Sequence, residues 1–413
     1  MVSSAVSTSG SSAFTPIRIG PLTLRNRFIK SATNEGMAKG GVPSKMLVEH
    51  HRAIAAGGAA MTTVAYCAVA PDGRTFEDQV MLDDASIPHL RVLTAAVHRE
   101  GAAACAQITH GGAFNFLPKL GTRYPRSASG GFNPVGVLTG RFWKKAMTAA
   151  EMERTAGEFV AAAKLARDAG FDAVEIHMGH GYLLSQFLSP AHNRRKDEFG
   201  GDAQGRARFP AMVLRRVLDA VGAELAVTCK IGVIEGFKGG GTADDAVAVA
   251  CVLEREGAHL LVLSGGMNAE APWAIFNSPM PAAATEILQN PIMRMASRLA
   301  KLREPKIEFR EMYFLEHSRK VRAAVRMPLA YLGGVKSIAG VNQAMAEGFD
   351  CVALGRALLH DPALVNGFRD GTLTQSGCTS CNQCVVSMYS PGGTACVLRP
   401  PNDVQMNRTP AAA

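Results

Sequence analysis

The sequence predicts an α/β fold, a single-domain (β/α)8 TIM barrel that ends in a cysteine-rich extension. Two observations predict it. Eight short apolar runs of strand-forming residues alternate with longer segments of helical periodicity, which is typical of βαβ units around a parallel sheet. Several of these runs lack polar alternation, as strands covered on both faces do. A doubly wound open sheet is the competing architecture, but no GxGxxG pattern follows the first strand.

The predicted strands place several chemically useful residues at the same end of the barrel. In a (β/α)8 barrel the active site lies where the strands end and the loops begin. His177, Lys230, Gly333 and Gly355 all fall at or near the C-terminal ends of predicted strands. The eight predicted strands span 27–33, 59–66, 103–109, 172–177, 225–231, 259–264, 328–333 and 351–354.

The clearest helix is predicted over 148–169. Thr148 and Glu151 have the spacing of a capping box, in which each side chain bonds the other residue's backbone N–H. Apolar residues from Phe159 onward repeat at helical spacing. Gly170 follows, and glycine tolerates the left-handed conformation that ends many helices.

The chain divides into three predicted parts. Residues 1–13, rich in Ser, Thr and Ala, are predicted to be a disordered tail. Residues 14–368 form the predicted barrel, and residues 369–413 form a cysteine-rich extension and tail. Two stretches between strands, 111–147 and 266–326, are longer than ordinary barrel loops. We expect them to build lids over the barrel mouth, or subunit contacts of a homo-oligomer.

Composition and charge narrow the class of protein. Hydrophobic residues make up 47% of the chain, which permits a large core and excludes wholesale disorder. The 44 basic and 35 acidic residues give a net charge of +9, yet no run of five like charges appears. An anionic cofactor or substrate is therefore favoured over nucleic acid. No apolar run is long enough for a signal peptide or a membrane span, so no membrane association is expected.

The cysteines indicate a reducing, cytoplasmic environment. Their number, nine, is odd, so they cannot all pair within the chain. Five of them lie singly in apolar segments, where a buried thiol behaves as a small hydrophobic group. These five are Cys67, Cys105, Cys229, Cys251 and Cys351.

Two imidazoles and a phenol follow the fourth predicted strand within six residues. His177, His180 and Tyr182 can converge there on one small ligand. Each imidazole can donate a hydrogen bond to a carbonyl or nitro oxygen and stabilise the negative charge that develops when a hydride reaches the β carbon. The phenol can then deliver a proton to the α carbon. In the structural alternative, backbone carbonyls satisfy both histidines and Tyr182 packs in the core.

The segment 177–201, together with Arg206 and Phe209, resembles the Old Yellow Enzyme family of FMN-dependent ene-reductases. The resemblance extends over about residues 14–368. It implies that His177 and His180 bind the electron-withdrawing group of the substrate and that Tyr182 is the proton donor. It also implies NAD(P)H as the hydride donor and an enone-type small molecule, an α,β-unsaturated carbonyl compound, as the acceptor.

The resemblance implies a set of flavin contacts. Residues 24–33 are similar to the family's first strand, whose end touches the flavin through Ala32 and Thr33. Asn34 then lies near the O4/N5 edge. Gln107 matches the glutamine that hydrogen-bonds the pyrimidine end of the isoalloxazine.

Further contacts are implied on the last strands of the barrel. Lys230 occupies the position of the family's cation, usually arginine, beside flavin N1 and O2, where positive charge favours the reduced anion. Its alternative is a strand-end lysine that extends to solvent. Gly333 and Gly334, with Gly355 and Arg356, resemble the family's phosphate cradle. The glycines allow backbone amides to approach the FMN phosphate, and Arg356 offers forked donors to a dianion.

At three positions expected near the substrate, the residue differs from the one that is frequent in the family. Ala32 replaces a frequent proline, and Gly36 occupies the region where some bacterial members have a tyrosine. Tyr66 falls at a second-strand flavin contact that is usually a small residue. These departures predict an altered substrate range rather than loss of flavin binding.

Four cysteines in the extension form a separate motif, C-x2-C-x2-C-x11-C. Four thiolates at this spacing can ligate a [4Fe-4S] cluster or a zinc ion, and metal-free or redox-labile thiols are the alternative. The motif is similar to that of the dienoyl-CoA reductase and trimethylamine dehydrogenase branch, C-x2-C-x3-C-x11-C, but is one residue shorter. In that branch the cluster serves a second flavin domain, which we do not expect here. The cysteines are Cys378, Cys381, Cys384 and Cys396.

The sequence thus predicts an FMN-dependent ene-reductase that uses one pocket for NAD(P)H and for an activated alkene in turn. Two alternatives come from other classes. A tRNA dihydrouridine synthase is also an FMN barrel, but it uses a cysteine proton donor and a helical RNA-binding domain, and neither is recognised in this sequence. The second alternative is a flavin-free barrel, either a lyase or a binding protein.

Overall fold

Eight parallel strands close into a barrel in the computed structural model, which describes residues 12–282, 294–295, 298, 301, 304–388 and 392–399. Each strand pairs with its neighbours in chain order, and the last strand pairs with the first. The strands are β1 (Phe28–Lys30), β2 (Met61–Ala68), β3 (Ala103–Thr109), β4 (Ala173–Met178), β5 (Ala226–Gly232), β6 (Leu260–Ser264), β7 (Leu329–Tyr331) and β8 (Cys351–Leu354). The predicted (β/α)8 barrel is therefore confirmed.

Every barrel strand begins within two residues of its predicted start, but β1, β2 and β7 end two or three residues from their predicted ends, β7 at Tyr331 rather than at residue 333. β1 ends at Lys30 rather than at residue 33, because the chain leaves the sheet after the Ser31 N–H bonds the Leu354 carbonyl at 2.8 Å. β2 extends to Ala68, and its register against β3 shifts between Val64 and Cys67. Such a bulge inserts one extra residue and redirects side chains, here toward the barrel mouth.

The helices surround the barrel and cover its outer face. They are α1 (Lys45–Ala56), α2 (Ile87–Arg99), α3 (Ala149–Asp168), α4 (Leu183–Leu188), α5 (Ala203–Val221), α6 (Ala243–Arg255), α7 (Pro272–Phe276), α8 (Leu315–Ala324), α9 (Ile338–Ala346), α10 (Arg356–His360), α11 (Leu364–Arg369) and α12 (Gln383–Ser387). The capping box predicted for α3 is present: the Glu151 N–H donates to Oγ1 of Thr148, and the Thr148 N–H donates to Glu151 at 2.7 Å. Gly170 follows α3 with a φ of +83°.

The barrel interior is packed with small and medium apolar side chains. An antiparallel hairpin, Ile17–Ile19 with Leu22–Leu24, contributes Ile19 and Leu24 to the same buried cluster as Ala103, Ala173 and Leu260. A second and larger apolar cluster fills the space between the strands and the helices, and a third, small one contains Ala65, Tyr66 and Tyr182. Of the five cysteines predicted to be buried, four are, and Cys251 is partly exposed.

Both long insertions contribute side chains to the C-terminal end of the barrel, Phe114 from the first and Phe276 from the second, and their roles as lids or subunit contacts stay a prediction. After β3, the strands Arg126–Ser127, Gly131–Phe132 and Trp143–Ala146 form a small three-stranded sheet. The insertion after β6 contains α7, and Phe309 and Tyr313 follow in its later part. A second short hairpin pairs Ala38–Lys39 with Val42–Pro43.

The ends of the chain are described only in part. The predicted N-terminal tail lies outside the described residues up to residue 11, while Ser12–Phe14 form one turn of 3-10 helix and Ala13 is buried. The predicted C-terminal tail lies outside them from residue 400 onward. In the part of the chain that the structure describes, no helix is both long and apolar enough to cross a bilayer.

Candidate active site

Two adjoining cavities open at the C-terminal ends of the barrel strands. The first, of about 710 Å³, lies toward β7 and β8, and the second, of about 850 Å³, lies toward β2, β3 and β4. They share walls, so one ligand can extend through both. The shared wall residues are Ala32, Thr33, His180, Ile275, Phe276 and Arg356.

The predicted histidine pair and phenol are together at the end of β4. His177 and Tyr182 line the second cavity, and their ring centroids are 4.7 Å apart. The Nε2 atom of His177 lies 3.3 Å from Nδ1 of His180, and Nε2 of His180 lies 2.8 Å from the hydroxyl of Ser264. Backbone carbonyls are therefore not the partners of both histidines, but the other half of the structural alternative holds: Tyr182 is buried in an apolar cluster with Ala65 and Tyr66.

Both imidazoles are neutral at physiological pH. Burial, reinforced by the charge of Lys230, lowers the pKa of His180 to about 3, and burial likewise holds the pKa of His177 well below its usual value. The N–H of Gly179 donates to Nδ1 of His177 at 3.2 Å, so the proton of that neutral ring is on Nε2. His177 can therefore offer an N–H donor without carrying a charge.

The local backbone supplies this geometry. His180 has a φ of +61°, in the left-handed region that non-glycine residues rarely occupy. Gly181 follows with a φ of +87°. These two residues turn the chain sharply after β4, so that His180 folds back toward His177 and Tyr182 begins α4 at the cavity wall. Strain of this kind is frequent at functional sites.

Lys230 is buried and paired, so the alternative that its side chain reaches solvent is wrong. Its side chain is 1% exposed, and its Nζ lies 3.1 Å from Glu175 and 3.2 Å from the hydroxyl of Ser31. Glu175 also accepts a hydrogen bond from Gln107 at 2.7 Å. Glu175 on β4 thus joins the two predicted flavin contacts on β3 and β5.

A second buried ion pair lies at the end of β1. Lys30 pairs with Glu35 and donates to the carbonyl of Thr63 at 3.0 Å. Burial lowers the pKa of Lys30 and raises the pKa of Glu35, and their mutual attraction opposes both shifts. Glu35 also accepts a hydrogen bond from the hydroxyl of Thr33 at 2.9 Å. The pair therefore anchors a residue of the shared wall.

Sequence analysis missed Glu175, Lys30 and Glu35, although two of them left a signal. Glu175 and Lys30 are charged residues inside otherwise apolar strands, and an ionised group is expensive to bury unless it is paired. A search for charges within predicted buried strands would have found them. Glu35 lies in a loop and left no comparable signal.

The remaining predicted contacts on the first strands line the second cavity. Asn34 does so beside Ala32 and Thr33, and Gln107 does so from β3. Tyr66 points into the same cavity from the bulge in β2, with its ring centroid 5.1 Å from that of Tyr182. Its hydroxyl is 2.8 Å from that of Thr75.

The predicted phosphate cradle is only partly formed as expected. Gly334, Gly355 and Arg356 line the first cavity, but Gly333 does not. A side chain at Gly333 would collide with the phenol of Tyr331, so Gly333 serves close packing behind the wall. Lys336, which sequence analysis missed, lines the cavity as a third cation beside Lys230 and Arg356.

Arg356 differs most from its predicted role. Its Nη1 donates to Asn382 at 2.7 Å and to Ser278 at 2.9 Å, and its Nη2 donates to the carbonyl of Phe276 at 2.7 Å. The guanidinium therefore fastens the C-terminal extension and the insertion after β6 to the cavity wall. The forked donors predicted for a phosphate are already occupied by protein groups.

The four cysteines of the extension lie beside the cavities, with Cys378 on the first and Cys384 on the second. Burial raises the pKa of Cys384 to about 11; Arg356 opposes this, and the other three thiols add to it. Within the described residues, no group of three His, Cys, Asp or Glu side chains is arranged to hold a metal ion. The four thiols are neighbours that act on one another's charge, and the metal that they hold stays a prediction.

The cavity walls fit the flavin that the sequence predicts. Gln107 and Lys230 place polar donors at the strand ends, where the pyrimidine of an isoalloxazine would lie. Lys336 and Arg356 supply positive charge at the other end. Gly334 has a φ of +77°, and a side chain there would meet the ring of Tyr313, so only glycine lets the backbone approach a phosphate.

Comparisons with known proteins agree with this geometry. The 4,4'-dithiodibutanoate disulfide reductase of Rhodococcus erythropolis is 42% identical over 398 residues, which are 94% of this chain and 95% of that protein. The NADH oxidase of Thermoanaerobacter brockii is 30% identical over 375 residues, 89% of this chain; the chain spans about half of that relative, 52%. Among solved structures, the Old Yellow Enzyme homologue from Zymomonas mobilis superposes with a TM-score of 0.69 at 21% identity, covering 90% of this chain and 96% of its own.

The family assignment rests on the sequence profile as well as on these relatives. The profile of the NADH:flavin oxidoreductase / NADH oxidase family matches residues 12–275, well over half of the chain. The matched region contains β1 to β6, with the histidine pair, Tyr182 and Lys230. The chain belongs to the NADH:flavin oxidoreductase / NADH oxidase family, and its fold is that of the Old Yellow Enzymes.

Proposed function

We propose that this protein is an FMN-dependent oxidoreductase that takes a hydride from NAD(P)H and reduces the activated C=C bond of α,β-unsaturated carbonyl compounds. One observation carries the proposal: two neutral imidazoles and a phenol are in ring contact on one wall of the cavity. Family membership favours this class over a flavin-free barrel and over an RNA-modifying enzyme.

Separate residues of the cavity would bind the two ends of the cofactor. When bound, FMN would accept a hydride from the nicotinamide and supply it to the second substrate. Gln107 and Lys230 would bind its ring, and the cationic end with Lys336 would bind its phosphate. Because both substrates would occupy the same space in turn, we expect ping-pong kinetics.

The histidines bind the acceptor. The Nε2–H of His177 now faces Nδ1 of His180, and Nε2 of His180 faces the hydroxyl of Ser264, so each ring would rotate to point an N–H at the ligand. Both are neutral, so the carbonyl oxygen receives hydrogen bonds whose strength grows as negative charge develops on it. The hydride adds to the β carbon, and the phenol of Tyr182 protonates the α carbon.

Replacing Tyr182 with Phe tests this role. Flavin reduction by NADPH should be unchanged, whereas reoxidation by 2-cyclohexen-1-one should slow by about 100-fold or more, as for loss of a general acid. Stopped-flow absorbance measures the two half-reactions separately. Tyr66→Phe is the matched control: it removes a phenol from the same cavity, one that bonds Thr75, and should slow neither half-reaction as much. Equal slowing of both half-reactions in Tyr182→Phe would contradict the assignment.

A second candidate is reduction of an organic disulfide, favoured by the relative that is 42% identical over nearly its full length. Such a reaction takes one hydride and one proton, breaks the S–S bond and releases two thiols. The same histidines could stabilise the departing thiolate, and the net charge of +9 suits a dicarboxylate. The values of kcat/KM for 4,4'-dithiodibutanoate and for 2-cyclohexen-1-one decide between the two acceptors. A higher value for the disulfide would support disulfide reduction, and a higher value for the enone would support alkene reduction.

A further inference from the structure

A patch of exposed rings and cations lies on the insertion after β3, which also supplies Phe114 to the wall of the second cavity, and it has no part in the proposed chemistry. The strands Gly131–Phe132 and Trp143–Ala146 pair in antiparallel fashion, and we call residues 131–146 the rim hairpin. The rings of Phe132 and Trp143 meet edge to face at 6.2 Å and are 54% and 59% exposed. Exposed neighbouring aromatic rings on a protein surface often mark a binding site.

The rim hairpin is attached directly to the cavity wall. Asn133 donates to the carbonyl of Ala113 at 3.3 Å, and Arg141 donates to Asn115 at 3.4 Å. Between these two attachment points lies Phe114, which lines the cavity and whose ring centroid is 5.7 Å from that of Tyr182. A ligand that leaves the cavity past Phe114 therefore meets the hairpin.

Two cations near the rings have an acidic neighbour, Glu270, but no direct contact with it. Lys144, on the hairpin, and Arg194 form no side-chain hydrogen bond or ion pair with any residue that the structure describes. Burial lowers the pKa of Lys144; the charge of Glu270 opposes this shift and that of Arg194 adds to it. Glu270 is itself paired with His192 at 2.9 Å. Two cations that repel each other at a cavity rim are stabilised by a bound anion.

We propose that this rim binds the adenosine phosphate tail of a substrate whose reactive end lies in the cavity. Phe132 and Trp143 would stack on the base, and Lys144 and Arg194 would meet the phosphates. Two sources share this chemistry: the nicotinamide coenzyme and a coenzyme A thioester of an unsaturated acid. The inference rests on the proposed function and adds a specificity site to it.

Truncated substrates separate the tail from the reactive group. In the double variant Lys144→Ala/Arg194→Ala, the Michaelis constant for NADPH in flavin reduction should rise about tenfold or more, as for loss of one charge-assisted hydrogen bond. The constant for 1-benzyl-1,4-dihydronicotinamide, which has the same hydride but no tail, should not change. Lys164→Ala, an exposed lysine on α3, is the control for net charge and should leave both constants unchanged.

The thioester source is tested in the other half-reaction. Crotonyl-CoA is compared with the crotonyl thioester of N-acetylcysteamine, which lacks the adenosine phosphates. A rise in the Michaelis constant for NADPH alone assigns the rim to the coenzyme. A rise in the constant for crotonyl-CoA alone assigns it to the acceptor. Either outcome supports the proposal. If the Michaelis constants of the full and the truncated substrates rise equally, or if none of them rises, the proposal is wrong.

A direct binding measurement keeps this test separate from the proposed function. Calorimetric titration of the holoprotein with ADP-ribose and with 3′,5′-ADP should show binding that Trp143→Ala and the double variant each weaken by about tenfold. If neither compound binds the wild-type protein, the proposal is overturned. If 1-benzyl-1,4-dihydronicotinamide fails to reduce the flavin while ADP-ribose still binds, the proposed function fails and the rim site stands.

Discussion

At the scale of single residues, the site is built on a buried ion pair. Lys230 and Glu175 are almost fully enclosed, and each is the other's counter-ion. Gln107 and Ser31 complete the network from β3 and from the end of β1. Because a buried charge without a partner is far more costly than a buried pair, these residues should behave as a unit.

A double-mutant cycle tests that coupling. Lys230→Met leaves Glu175 buried without a cation and should lower the free energy of unfolding by about 3–5 kcal/mol. Lys230→Met/Glu175→Gln removes both charges and should lose clearly less than the sum of the two single changes. Urea unfolding of each protein gives the coupling energy. Additive losses would show that the two side chains act independently.

At the scale of elements, a local capping signal predicted where α3 begins. The capping box of α3 involves residues only three apart, so its geometry depends on little beyond the helix itself. Thr148→Ala should therefore cost about 1 kcal/mol of unfolding free energy, measured by urea denaturation. Lys164→Ala, in the same helix but remote from the cap, should stay within about 0.5 kcal/mol of wild type.

The C-terminal extension is an element held by contacts that connect distant parts of the chain. The hydroxyl of Thr394 donates to the carbonyl of Asn34 at 2.6 Å, and Asn382 donates to Ser278 at 2.9 Å. These bonds place Cys378 and Cys384 at the cavity walls. The extension is therefore part of the site rather than an appendage to the barrel.

Metal analysis of anaerobically purified protein tests what the four thiols hold. The four thiols are close enough to act on one another's pKa, and their sequence spacing is similar to that of an iron–sulfur motif, so we expect iron. Cys396→Ser should lose the iron, while Cys251→Ser, a change to a cysteine outside the cluster, should retain it. One zinc per chain would contradict the expectation, and a metal-free wild-type protein would favour redox-labile thiols.

At the scale of the whole molecule, buried neutral histidines link stability to pH. Burial lowers the pKa of His50 and of His180 to about 3 and holds those of His51 and His177 well below 6.5. In this range the unfolded chain binds protons that the folded chain does not. Stability is therefore fully present above pH 6.5 and is lost as the pH falls toward 3.

The pH dependence of unfolding measures this effect. Between pH 6 and 4, each such histidine should contribute a slope of about 1 kcal/mol per pH unit to the free energy of unfolding. His50→Gln should reduce the total slope by about that amount. His89→Asn, at an exposed position, is the control and should leave the slope unchanged. An unaltered slope in His50→Gln would mean that this imidazole is accessible to protons in the folded state.

The barrel and the cluster of His177, His180 and Tyr182 were predictable because their signals are local. Each strand is a short apolar run bounded by turns, and the triad lies within six consecutive residues, so strand position alone brings His177, His180 and Tyr182 to one place. The bulge in β2 and the early end of β1 were not predictable, because pairing with neighbouring strands sets them.

Long-range pairing set the rest of the site, and no local pattern encodes it. Glu175 joins residues 68 positions earlier and 55 later in the chain, and Arg356 bonds Ser278 and Asn382 on two separate segments. Whether a lysine is buried or a glycine lines a cavity depends on which elements pack against it. Closure of the barrel determines those neighbours. The surroundings of Lys230, Gly333 and Arg356 could therefore be seen only in the folded structure.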